Sequence, residues 1–424
     1  MDSRIIHNID CIKGMEQLAS RSINILYTDP PYNMNSRYRI DKDGHYVFTN
    51  LGSDFMNKWE AMDGVWWEKY FKEAYRITKY GGYVIMHNID RQSDMFAYYA
   101  RKAGFMPTQK LYWLFISNFP KAVDVALMID KKFKVKRKKI GEADQYISSG
   151  TGVYNWNDPQ IAKKQQQVMT DIRGGKYLAM TREDKPKLVR DITVATHPLA
   201  VEFDGYKYGQ ACLKQILEEI LVFWKPNQSG TIEDLISYTK GNSEVHPSIF
   251  NIRATMVGQN NMNEQQRHTP QMLISEDSIM HINKKEITDV LVKIPYLESD
   301  VVPYLYEPKA SKAEKEEGLF DEEEVINNKA AIGTLLNEDG KDKWATKSKN
   351  PHPTPKPHRL CEWVLRLFKP PESIPIKVLD TFAGQGSIPK VCEELGIEWY
   401  AFELNPEYQR IAEKKINTAK LTLF

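Results

Sequence analysis

Short apolar, β-branched runs recur along this chain, and each closes on polar or turn-forming residues. Ile23-Asn24-Ile25-Leu26-Tyr27-Thr28 reads as a buried strand. Residues 4–9 predict another, followed by a short helix through Met15 and Leu18. Trp59, Trp66, Trp67, Tyr70 and Phe71 fall at helical spacings, so they predict the packed face of a helix rather than exposed platforms. Gly81 and Gly82 precede an expected strand at 83–86, with further strands at 111–116 and 219–226. Near the far end, 376–380 and 398–402 are strand-like, and a helical stretch through Cys392 and Leu395 separates them. Strands alternating with helices predict an open α/β sheet.

Asp29-Pro30-Pro31-Tyr32 follows the first of these strands directly. Two successive prolines continue neither a ladder nor a helix. They would hold the backbone rigid just past a strand end, where the crevice of an open α/β sheet lies. The carboxylate accepts hydrogen bonds and the ring offers a flat face, a pairing suited to a planar, amine-bearing group such as a nucleobase. Thr381-Phe382-Ala383-Gly384-Gln385-Gly386 follows the strand at 376–380, and its two glycines let the backbone turn and approach a ligand closely. Glu403 ends the next strand, where an acid can bind ribose hydroxyls of a nucleoside cofactor.

Together these residues resemble the amino-directed DNA methyltransferases, which use S-adenosylmethionine to methylate the exocyclic amine of adenine or cytosine. In that family a DPPY-type motif is catalytic, which implies Asp29, Pro30, Pro31 and Tyr32. An FxGxG-type motif binds the cofactor, which implies Phe382, Gly384 and Gly386. The order, DPPY first and FxGxG last, resembles the circularly permuted beta class, and segments at 119–131 and 306–314 resemble its phage and prophage branch. The resemblance implies a Rossmann-like, doubly wound, mostly parallel methyltransferase sheet with a large inserted target-recognition region. His352-Pro353-Thr354-Pro355-Lys356-Pro357 resembles an HPTQKP-type segment lining the cofactor's methionine end, with Thr354 and Lys356 carried over and Pro355 departing from the usual amide. The resemblance also implies cofactor roles for Asp10, Cys11, Asp380 and Glu403. Asp10 reads equally as a helix cap.

At 424 residues the chain can hold two or three domains. The expected division is 1–130 as the catalytic half, 131–345 as the target-recognition insert with a core strand near 219–226, and 346–424 as the cofactor half. No long apolar run or signal pattern is visible, which predicts a soluble, cytoplasmic protein. Four cysteines without a CxxC pair, and the irregular spacing of His352, His358 and Cys361, point to neither disulfides nor metal. The net charge of +2 is uninformative, but between Lys131 and Lys139 seven of nine residues are basic. Lys136, Arg137, Lys138 and Lys139 are therefore candidate phosphate contacts on double-stranded DNA, and the alternative reading is a solvated surface run. Asp29 favours adenine N6 as the target, since cytosine-N4 enzymes of the family more often carry Ser there. Cytosine-N4 methylation is the nearest rival, and a catalytically silent DNA-binding module is the alternative from another class. The beta class is often dimeric, which leaves a homodimer open as a partner, and the sequence does not decide whether a separate restriction enzyme exists.

Overall fold

The computed structural model describes residues 1–32, 37–50, 62–114, 121–146, 187–211, 217–255, 272–274, 312–319, 321–322, 325–327, 346–350, 352 and 355–422. Trp59, Cys212 and Thr354 lie outside the described residues. The chain forms two compact units, one of Met1–Asn118 with Ile216–Phe424 and one of Phe119–Gln215.

The larger unit is built on a nine-stranded sheet. Its strands are β1 (Ile6–His7), β2 (Ile23–Thr28), β3 (Thr78–Asn88), β4 (Met106–Pro107), β5 (Leu111–Leu114), β6 (Leu217–Trp224), β7 (Met272–Ile274), β8 (Lys377–Asp380) and β9 (Glu398–Phe402). They lie in the order β1-β9-β8-β2-β3-β6-β5-β7, with β4 also on β6. The run from β1 to β3 is parallel throughout, and β6 runs antiparallel to its neighbours. The last two strands of the chain thus slot between its first two. Every residue of β2 is buried, as a central strand covered on both faces must be, and its apolar, β-branched composition follows from that.

Helices cover the two faces separately. On one side lie α1 (Cys11–Glu16), α2 (Gly64–Ile77) and α3 (Ser93–Ala103), packed on Leu26, Val84, Met86, Leu221 and Phe223. On the other lie α4 (His358–Phe368), α5 (Ser387–Glu394) and α6 (Pro406–Thr422), packed on Ile25, Tyr27, Ile85, Ile220 and Val222. The alternating parity of those strand residues is the period-2 signature of a sheet with a core on each face. Trp67, Tyr70 and Phe71 are buried on α2, as their spacing predicts, and Ala74 and Ile77 extend the stripe; Trp66, expected on the same face, is half-buried, and the Asp63 side chain caps the helix start.

Some element bounds differ from the sequence expectation. The strand expected at 83–86 runs from Thr78 to Asn88, through both glycines. Gly81 adopts φ +76° and its N–H reaches Lys225 O at 2.9 Å, so the backbone kinks there without leaving the sheet. The first helix ends at Glu16, before Leu18.

The smaller unit has its own hairpins. Lys138–Tyr146 pairs antiparallel with Lys187–Val194, and Lys121–Asp124 with Lys207–Ala211. Helices Val125–Lys132 and Pro198–Glu202 pack through Ala126 and Ala200. Strand residues 138–140, 191–193 and 207–209 are exposed, which leaves no apolar period for the sequence to show there.

Gly14 of α1 sits flat on the Phe402 ring, where an added Cβ would come within 2.8 Å of ring carbons. Gly14→Ala gains about 1 kcal/mol of helix propensity but must displace the ring, at about 1–3 kcal/mol. We expect a net fall in the denaturation midpoint, measured by circular dichroism; a rise would show that α1 does not pack this closely.

Candidate active site

Five strand ends meet at one edge of the sheet. Strand β2 leads through α2 to β3 on one side, while β8 leads through α5 to β9 on the other. The edge between β2 and β8 is therefore a topological switch point, where a crevice opens. Asp380 ends β8, Asp29 follows β2, His87 lies near the end of β3, and Glu403 follows β9. Because β6 runs antiparallel, its beginning is at this same edge, with Glu219 opposite Asn88. That reversal delivers Glu218 to the crevice.

The DPPY segment leads into a dense polar cluster. Asp29 Oδ2 lies 2.8 Å from Lys356 Nζ, and Asp29 Oδ1 accepts from the Tyr32 hydroxyl at 2.9 Å. Lys356 Nζ is also 3.1 Å from Glu218 Oε1, and that oxygen lies 3.0 Å from the Tyr32 hydroxyl, whose single proton the two carboxylates share; the hydroxyl oxygen accepts from Lys356 Nζ at 3.2 Å. The ammonium stands 5.0 Å from the centre of the Tyr32 ring. Behind Glu218, His87 Nδ1 is 3.1 Å away, and His87 Nε2 is 2.9 Å from the Tyr27 hydroxyl. A single neutral tautomer satisfies both contacts, with Nδ1–H donating to Glu218 and Nε2 accepting from Tyr27. Pro30 is buried and Pro31 half-buried beside this cluster.

The charges in the cluster sustain one another. Burial alone would disfavour the Lys356 ammonium, yet Asp29 and Glu218 raise its pKa above the ordinary lysine value. Burial likewise opposes the Glu218 anion, but Lys356 and His87 overcome it and hold the carboxyl at about 2. Tyr32 is pushed well up by burial and by the two carboxylates.

The glycine turn forms the neighbouring part of the crevice. Gly384 adopts φ +52° and Gly386 φ +80°, values that favour glycine. A Cβ on Gly384 would lie 2.6 Å from His352 Nε2, and one on Gly386 2.9 Å from Ala412 Cβ. The glycines are thus required by close approach as well as by backbone shape. Glu403 Oε2 accepts from Gly384 N at 2.8 Å and Oε1 from Asn405 N at 2.8 Å, which fixes the acid over the turn. Phe382 is half-buried beside Tyr70 and Trp66, at 6.0 and 6.2 Å between ring centres.

Asp380 ties the two halves together. Its Oδ1 accepts from Thr28 Oγ1 at 3.0 Å and from Phe382 N at 3.1 Å, and Thr381 Oγ1 reaches Thr28 Oγ1 at 3.1 Å. Burial raises its carboxyl to about 7. Asp10 caps α1 by accepting from Lys13 N at 3.1 Å. Cys11 is buried, and burial, with Asp10 and Glu403 nearby, raises its thiol well above the usual value.

Sequence reasoning singled out Asp29 and Tyr32 for catalysis and Lys356 and Asp380 for the cofactor, with His352 in the motif segment, but passed over Glu218, His87, Tyr27 and Thr28. The available signal was the acidic pair Glu218-Glu219 heading an otherwise apolar strand. In the smaller unit, Lys136 and Lys138 are exposed. Arg137 pairs with the buried Asp130 at 3.0 Å and reaches Thr193 Oγ1 at 3.2 Å, and Lys139 pairs with Glu142 and Asp191. The four basic residues are therefore not equivalent. No group of three or more His, Cys, Asp or Glu residues arranged to hold a metal occurs among the described residues, nor does a helix long and apolar enough to cross a membrane.

Comparison with known proteins places these features in context. The model of the N6/N4 methylase family, described as DNA methylase, matches residues 23–414. Type II methyltransferase M.BamHI of Bacillus amyloliquefaciens is 25% identical over 101 residues, which are 24% of this chain and 21% of that protein. The matched stretch thus spans about a fifth of that relative's length. Among solved structures, the M1.HpyAVI–SAM complex is 13% identical, with 97% of this chain and 98% of that one covered at a TM-score of 0.38. The PvuII DNA methyltransferase, titled cytosine-N4-specific, is 11% identical, with 98% and 91% covered at 0.39.

Asp380 generates a pH prediction. Its folded pKa of about 7 exceeds the unfolded value of about 3.9. The folded state keeps this proton while the unfolded state loses it, so Asp380 erodes stability as pH rises from about 4 to about 7. Asp380→Asn can retain the hydrogen bonds from Thr28 and Phe382 without the ionisation. The unfolding free energy of the variant relative to wild type, measured by denaturant titration at each pH, should climb across that window by an amount on the order of a few kcal/mol. A difference independent of pH would show that Asp380 stays ionised in the fold.

Proposed function

The chain belongs to the N6/N4 family of DNA methylases, and we propose that it transfers a methyl group from S-adenosylmethionine to the N6 amine of adenine in double-stranded DNA. The observation that carries this reading is the Asp29 carboxylate at the switch point, one strand away from the Gly384–Gly386 turn and held in register by Thr28 and Asp380. The residues fit the cofactor. Glu403 offers a carboxylate over the turn for ribose hydroxyls, the positive φ of Gly384 and Gly386 shapes that turn, and Phe382 supplies an aromatic wall. Lys356, Asp10 and Cys11 complete the proposed pocket, and Thr354 belongs to it by motif.

S-adenosylmethionine supplies, when bound, an electrophilic methyl carbon whose bond to sulfur breaks as the bond to nitrogen forms. The exocyclic amine is a weak nucleophile because its lone pair is delocalised into the ring. Asp29 accepts one of its N–H bonds and the Pro30 carbonyl the other, which localises that pair on nitrogen. Tyr32 stacks on the base once it has left the duplex. Asp29 then takes up the proton that the methylated nitrogen sheds. Positioning supplies most of the acceleration. An Asp at the head of the motif favours adenine over cytosine, and the order of motifs favours the permuted beta class. The smaller unit contributes DNA contacts through its exposed lysines.

Asp29→Ala should lower turnover by about 100-fold or more, the worth of a preorganised acceptor at the reacting centre. Cofactor affinity should stay within a few-fold, since the carboxylate serves the amine. Labelled-cofactor assays followed by nucleoside identification measure both the rate and the product. Near-normal turnover, or N4-methylcytosine as the product, overturns the respective part of the reading. Replacing Lys136 and Lys138 together by Ala should make the slope of log affinity against log salt shallower by roughly two units, at about 0.9 per phosphate contact. Target choice should be unchanged, because phosphate contacts do not read sequence; an unchanged salt slope would remove this run from the DNA interface.

A further inference from the structure

Both oxygens of the Asp29 carboxylate already carry a partner. Oδ1 holds the Tyr32 hydroxyl at 2.9 Å and Oδ2 holds Lys356 at 2.8 Å. Each oxygen keeps a second lone pair, but the ammonium on Oδ2 draws off the negative charge that an amine N–H needs, so Asp29 accepts more strongly as that partner moves off. Lys356 has a side chain only 7% exposed, so it cannot turn to water when it does so. A buried ammonium must keep an anionic partner.

Glu218 is that partner. Its Oε1 stands 3.1 Å from the same ammonium and 3.0 Å from the same Tyr32 hydroxyl. Both groups that occupy Asp29 already touch Glu218, so each can leave Asp29 while remaining paired. Glu218 is in turn held by His87, fully buried and backed by Tyr27. Lys356 is fixed at its backbone, where its carbonyl accepts from Ser387 Oγ at 3.0 Å. One ammonium thus stands between two carboxylates, with the second anchored from behind.

Resting on the methyl-transfer reading above, we propose that Glu218 is a positioning residue that draws Lys356 and the Tyr32 hydroxyl away from Asp29 and so frees its carboxylate for the target amine. Without Glu218 the lysine has Asp29 alone and stays on it. The acceptor is then neutralised by a cation that nothing displaces. With both carboxylates present, the lysine shifts by a short distance while the net charge of the cluster is unchanged.

The test is a cycle of Glu218→Gln, Lys356→Gln and the double variant, with kcat measured on duplex DNA at saturating cofactor and cofactor Kd measured separately. Glu218→Gln should lower kcat roughly 10- to 100-fold, the scale of one hydrogen bond to a charged group, with little change in cofactor Kd. Adding Lys356→Gln to that variant should raise kcat again, because the cation trapped on Asp29 is gone. A residue that merely supports the fold would move the thermal midpoint in step with kcat, so each variant's midpoint is measured beside it, and a recovery of kcat that only follows the midpoint overturns the proposal. An unchanged kcat in Glu218→Gln, or a double variant no faster than it, overturns the proposal. Removing both members of a buried ion pair is better tolerated than removing one. If Glu218→Gln does not fold, Lys356→Gln is compared with the double variant: equal kcat supports the proposal and a further fall overturns it. A wild-type protein without methyl transfer to DNA would instead sink the underlying functional reading, so the two failures are distinct.

Discussion

Val378 and Leu379 lie in parallel register with Ile25 and Leu26, and that short ladder brings the two ends of the chain into one site. Thr28 and Asp380 finish it with a buried hydrogen bond at the rim of the crevice. Everything the site contains is placed relative to that seam. Asp29 is the next residue after Thr28, and Phe382 and the glycine turn come directly after Asp380 and Thr381. A hydrophobic core on each face makes a one-residue slip of this register costly, since every side chain of the strand would change sides.

The reversed direction of Leu217–Trp224 is the second architectural decision. In an all-parallel sheet the start of a strand lies at the edge remote from the ligand crevice. Here it lies at the crevice, which places Glu218 opposite Lys356. A buried glutamate at a strand start would ordinarily be an expense in stability. Two hydrogen-bond donors and one ammonium offset it, and the cluster keeps its charge in a place where water is scarce.

The acidic block after residue 312 illustrates how electrostatics close the structure around that core. Glu322 pairs with Arg410 and Lys414 of the last helix, and Lys390 reaches Glu317 at 2.7 Å. Read as sequence, that block suggests a loop repelled by a polyanion. In the fold Glu317 and Glu322 are matched by cations of two helices, so that part of its charge is internal to the unit.

What the chain determined by itself was local and periodic. The buried strand before Asp29, the aromatic stripe of Gly64–Ile77, the strands flanking the glycine turn and the motif residues follow from β-branched runs, helical spacing and residues whose shape admits few conformations. Those signals depend on neighbours along the chain, so sequence carries them. The tertiary structure decided which distant groups meet. That Glu218 faces Lys356 and that His87 stands behind it depend on strand direction and register across more than a hundred residues, and that Tyr27 backs His87 and His352 rests on Gly384 depends on shorter separations that carry no period either. The division of the basic run is also a matter of the fold, although Arg137 and Asp130 are only seven residues apart: Asp130 is buried where Arg137 reaches it, and Lys136 is exposed. An ion pair between remote residues leaves no period in the sequence, because its energy depends on distance and burial, which only the folded chain defines.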